Sequence, residues 1–193
     1  MKATSILIFC FLSLYSFGQT TVDRELFDRA DNLRTVIYET DISSDIESND
    51  SIKSNQAKKI KTQILILALK NYQKIIDSFP TSKYVNISIY RKATANESLG
   101  NETEAINNYL KFYNSVGAAD IVGENYNTYL KYDVAIRLAE NAMKDKNFKL
   151  AVKYLDESKT YKYSACLNAI IDRDNYRKSL YQICDSELNK KKK

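Results

Sequence analysis

The chain has 193 residues, with 29 Lys or Arg against 24 Asp or Glu, a formal net charge of +5 and no histidine. The missing imidazole excludes His-based triads, the commonest general base and the usual zinc sites. With 4 glycines and 1 proline there is too little turn chemistry for a β protein and no phosphate loop or dinucleotide fingerprint, so an all-α chain is expected.

The N-terminus has the layout of a signal peptide over residues 1–18. Lys2 is followed by the apolar run "ILIFCFLSLY", and Ser16 and Gly18 supply small residues for cleavage after Gly18. The run is shorter than the about 20 residues of a membrane span, and no later stretch reaches that length, so no stable span is expected after cleavage. Export to the periplasm or medium is the expected localisation. Residues 19–189 are expected to form one helical domain, and residues 190–193 a basic tail. Taking Lys2 and the four terminal lysines from the 29 basic residues leaves 24, equal to the 24 acidic ones, so the net charge of the body points to no nucleic acid.

From Asp23 to Glu39, Leu26, Phe27, Ala30, Leu33, Ile37 and Tyr38 recur at steps of three and four, one face of a helix. "DISSDIESNDSIKSN" reads as a loop over residues 41–55, because its Ser, Asp and Asn side chains compete for the backbone. A helix over about 56–79 follows, with "QILILAL" as a buried segment. Pro80 ends it, and helix is expected to resume within about four residues, near Lys83, capped by Thr81 and Ser82. The next helix ends at Gly100, a left-handed terminator, and Asn101 with Glu104 opens another toward Val116. After a break at "GAADIVGE", helices are expected over about 125–144 and 148–161 and from about 163 to the tail, about seven in all. Cys166 and Cys184 are 18 residues apart, five turns on one helix. They read as two small buried thiols unless a turn lies between them.

Three helices carry a small residue followed by larger ones on the same face: Ala68, Tyr72 and Ile75; Ala105, Tyr109 and Phe112; Ala151, Leu155 and, less regularly, Ser158. Upstream helices supply Ala93 and Ala95, then Ala135, Ala139 and Ala142. Small residues let helices approach closely, and pairs built this way bury their second face by stacking. With Pro80, the Leu99-Gly100 turn, and Phe148 three before Ala151, the region 65–161 resembles tetratricopeptide repeats, particularly exported bacterial ones. The resemblance implies antiparallel helix pairs stacked as a short α-solenoid. The spacing from Ala68 to Ala105 is 37 residues and from Ala105 to Ala151 is 46, against the family's 34, and the first-helix tryptophan is absent.

Such a scaffold is expected to bind a protein partner in the cell envelope, without cofactor, metal or catalysis. Tyr126, Tyr129 and Tyr132, spaced by three, with Arg137 nearby, are the candidate partner-binding residues. The alternative is a secreted helical protein that binds glycan or an anionic envelope surface through exposed aromatics and the lysine tail.

Overall fold

A computed structural model of the chain describes residues 22–37, 39–40, 42–115, 130–161 and 167–190. Among these residues there are eight helices and no strand. They are α1 (22–37), α2 (Ile42–Ile46), α3 (Ser51–Ser78), α4 (Val85–Ser98), α5 (Glu102–Tyr113), α6 (Leu130–Lys144), α7 (Phe148–Ser158) and α8 (Leu167–Lys190). The expected all-α class is what forms. Packing divides the chain into two compact units, Met1–Ala105 and Ile106–Lys193, with the boundary inside α5. The signal-peptide layout, Tyr38, Tyr126, Tyr129, Cys166 and residues 191–193 lie outside the described residues.

In the first unit, α3 packs against α2 and α4. Leu26 and Ala30 of α1 meet Ala68, Tyr72 and Ile75 of α3 in one cluster, and Ile37, Leu65 and Ala95 form another. The Phe27 ring stacks on Tyr84 at 4.9 Å. Asp31 ties three helices together: its Oδ1 accepts from Tyr72 Oη at 3.2 Å and lies 3.2 Å from the Nε atoms of both Arg34 and Arg91.

The structure departs from three local expectations. The stretch read as a loop contains α2, and α3 starts at Ser51 rather than near Gln56. The reason is capping: the Asp50 carboxylate accepts from the N–H groups of Ile52 and Lys53 at 2.9 and 3.2 Å, so a polar residue read as a helix competitor starts the helix instead. Ser54 Oγ donates to Ile46 O at 2.7 Å, which docks α2. "QILILAL" is buried on one side only: Leu65 and Ala68 are inside, whereas Ile66 and Leu67 are 42% and 49% exposed. At Pro80 the helix does end at Ser78, but α4 resumes only at Val85. Ser82 is used in a turn, its Oγ accepting from Tyr84 N–H and its carbonyl from Val85 N–H, both at 3.1 Å, so no side chain caps α4.

In the second unit, α6, α7 and α8 pack in chain order, and α6 also meets α8. Ala139 and Ala142 of α6, Ala151 and Leu155 of α7, and Leu180 and Cys184 of α8 form its core cluster. Cys184 is a buried free thiol, as expected for that residue. All nine residues of the three small-then-large triplets are buried, including Ser158, whose Oγ donates to Leu155 O at 2.6 Å.

The turns that end α4 and α6 have the same geometry. After α4, Gly100 has φ 77° and its N–H donates to Glu97 O, while Asn101 N–H donates to Asn96 O at 2.9 Å. After α6, Lys146 has φ 57°, its N–H donates to Met143 O, and Asn147 N–H donates to Ala142 O at 2.8 Å. Both are left-handed closures in which two amides satisfy the last carbonyls of the helix. In each the next residue is an asparagine at the start of the following helix, and every matched pair is 46 residues apart, as are Ala93 and Ala139, and Ala105 and Ala151.

Candidate functional site

The site is built on α6 and α8. Asp133 and Glu140 are two turns apart on α6, and Arg173 and Tyr176 one turn apart on α8, so helices running in the same direction bring them together as two cross-links. Arg173 Nη1 donates to Asp133 Oδ1 at 2.5 Å, and the Tyr176 hydroxyl donates to Glu140. The Arg173 guanidinium also lies 5.7 Å from the centre of the Tyr132 ring. One turn along, the Arg137 guanidinium sits 5.5 Å from the centre of the Tyr109 ring. Tyr132, Asp133, Ile136, Arg137, Glu140, Arg173 and Tyr176 line an open cleft of about 340 Å³.

The electrostatics of the cleft follow from partial burial and paired charges. Burial holds the Asp133 carboxyl above the usual carboxylate range, opposed by the charge and hydrogen bond of Arg173. Burial also raises the Tyr132 phenol, against the lowering effect of Arg177 and Arg173. The hydrogen bond to Glu140, followed by burial, pushes the Tyr176 phenol up to about 12. Both carboxylates in the cleft are therefore already bonded, one by a guanidinium and one by a phenol. Among the described residues no cluster of three or more His, Cys, Asp or Glu is arranged to hold a metal ion.

A second polar cluster lies where the start of α6 meets the ends of α5 and α7. The Tyr113 hydroxyl donates to Glu157, and Tyr161 Oη donates to Tyr113 Oη at 3.3 Å. Tyr154 meets Tyr113 edge-on at 5.6 Å, and the Lys131 ammonium lies 4.9 Å and 5.7 Å from the Tyr113 and Tyr161 ring centres. Tyr113 is 8% exposed, and burial with the Glu157 bond raises its phenol far above the ordinary value. This cluster links α5, α6 and α7.

Of the four candidate partner-binding residues, Tyr132 and Arg137 line the cleft and Tyr126 and Tyr129 are outside the described residues. Tyr132 is only 5% exposed, so most of its ring serves the core and only its rim faces the cleft. Asp133, Glu140, Arg173 and Tyr176 are the residues that sequence reasoning missed. The seven-residue spacing of the two acids was visible, but the pairing of α6 with α8 is not encoded in any local pattern. No known protein-family model, curated protein or solved structure matches the chain.

Proposed function

We propose that the chain is an exported helical repeat scaffold, similar to tetratricopeptide proteins, that binds a protein partner in the cell envelope and catalyses no reaction. The observation that carries the reading is the α6–α8 cleft. It offers Ile136 as apolar contact, charges of both signs, Tyr176 and Arg173 held by hydrogen bonds to Glu140 and Asp133, and Arg137 held over the Tyr109 ring. Preorganised aromatic and guanidinium groups are the side chains that carry most binding energy at protein interfaces. A volume of about 340 Å³ suits one or two side chains of an extended segment or a helix end. The 46-residue recurrence of turn and buried alanines supports a repeat architecture, and the layout of residues 1–18 supports export.

The test compares the wild-type chain with Arg137→Glu and with Tyr176→Ala, each confirmed folded by circular dichroism. Proteins recovered from envelope extract are identified, and the best-enriched one is purified for calorimetry. Each substitution is expected to weaken that complex about tenfold or more. Folded variants that bind the purified partner as tightly as the wild type would exclude this cleft as the binding surface.

A further inference from the structure

The other candidate surface is the outer face of α3, in the first unit. Between Ser51 and Ile76 the chain carries six lysines, at 53, 58, 59, 61, 70 and 74, and no Asp or Glu. A balanced total charge hides this segregation. Lys53 is paired with Asp45 at 2.7 Å, while Lys58, Lys59, Lys61, Lys70 and Lys74 make no ion pair among the described residues. Lys59, Gln63, Ile66, Lys70 and Lys74 follow one another at steps of four, three, four and four, opposite the buried Ala57, Ala68, Tyr72 and Ile75. The same side exposes Ile52 at 69%, Ile60 at 46% and Leu67 at 49%. From Ile52 to Lys74 the stripe is about 33 Å long at about 1.5 Å per residue.

We propose that this face of α3 seats the protein on an anionic lipid surface. The lysines match a layer of lipid phosphates, and the aliphatic side chains between them reach the boundary with the acyl chains. No arginine and no exposed aromatic lies on the stripe, so it lacks the stacking groups with which proteins hold nucleic acid strands. A second copy of the same face would meet like charge. Attachment of this kind is peripheral, and no described helix is long and apolar enough to cross a membrane. The proposal does not rest on the cleft, and it moves surface binding from the lysine tail to α3.

The experiment uses the purified 193-residue chain and vesicles of phosphatidylcholine alone or mixed with phosphatidylglycerol, with sedimentation as readout. The variants are Lys59→Gln/Lys70→Gln/Lys74→Gln and Ile52→Ser/Leu67→Ser, at exposed positions where helix content should be kept. The apolar N-terminal run is common to all of them, so the comparison isolates α3. Each lysine near an anionic surface is worth about fivefold, so the triple variant should bind mixed vesicles about a hundredfold more weakly. Wild-type binding should also fall as salt is raised from about 0.1 M to 1 M, where the screening length drops from about 10 Å to about 3 Å. The aliphatic variant should bind several-fold more weakly with an unchanged salt slope. Three results would each overturn the proposal: undiminished binding by the triple variant, an equal loss on the lysine substitutions with pure phosphatidylcholine vesicles, or tighter lysine-dependent binding to a single-stranded oligonucleotide than to the vesicles.

Discussion

The two left-handed helix closures give a pair of substitutions with opposite expected signs. Gly100 occupies φ 77° at no steric cost, and a Cβ placed there would meet no atom within 4 Å. Gly100→Ala therefore tests the backbone term alone. A left-handed non-glycine residue costs about 1–2 kcal/mol, and the reduced freedom of the unfolded chain returns about 0.4–1 kcal/mol of that, leaving a loss of about 1 kcal/mol. Lys146 already carries the strain at φ 57°. Lys146→Gly removes it and loosens the unfolded chain, for a net gain of about 0.5–1 kcal/mol. Its side chain stands exposed in the turn between α6 and α7.

Urea unfolding followed by far-ultraviolet circular dichroism measures both. With a slope of about 2 kcal/mol per molar urea, the midpoints should move by about half a molar unit down for Gly100→Ala and somewhat less up for Lys146→Gly. Because the substitutions fall in different packing units, a biphasic curve should assign each shift to one phase. Shifts of the same sign would refute the shared closure, and with it the recurrence at 46 residues that supports a repeat.

Asp31→Asn should destabilise the first unit by about 2 kcal/mol, measured the same way, because the charge that faces both Arg34 and Arg91 is removed from a largely buried position; Tyr72→Phe should cost only about 1 kcal/mol. Ala139→Leu should cost about 1–3 kcal/mol, since Ala139 is fully buried where α6 meets α7 and the added isopropyl group must displace packed neighbours. Phenolate absorbance should show tyrosines titrating above the ordinary value near 10, among them Tyr176 at about 12, whose folded-state value is raised by its bond to Glu140. A raised folded-state value means that the stabilisation is complete below pH 10 and is lost as pH rises through about 12, and Tyr176→Phe should remove that part of the alkaline loss.

The buried residues of the small-then-large triplets were legible because they are written in local spacing. Ala68, Tyr72, Ala105, Tyr109, Ala151 and Leu155 all lie inside, where a small-then-large pattern on one helix face puts them. Helix ends were less legible, since they depend on which competitor wins a few hydrogen bonds. Asp50 could have held a loop and instead capped α3; Ser82 could have capped α4 and instead closed a turn. "KDKN" over 144–147 reads as a tight polar turn, but a lysine does not mark the left-handed position within it. Only the matching asparagine at 147 and the 46-residue offset from Gly100 tie Lys146 to a left-handed position.

The two candidate surfaces escaped the sequence for different reasons. The cleft depends on α8 returning beside α6, a pairing set by the core contacts of Leu180 and Cys184 with α7 rather than by any spacing of Asp133, Glu140, Arg173 and Tyr176. The α3 face was present in the sequence but was averaged away, because 24 basic against 24 acidic residues describe the whole body and a surface responds to charge within about a screening length. Six lysines over 51–76 with no carboxylate between them form a field that the total cannot report. Which of those lysines act together is then fixed by burial: once Ala57, Ala68, Tyr72 and Ile75 face the core, Lys59, Lys70 and Lys74 must share the opposite side with Ile52 and Leu67.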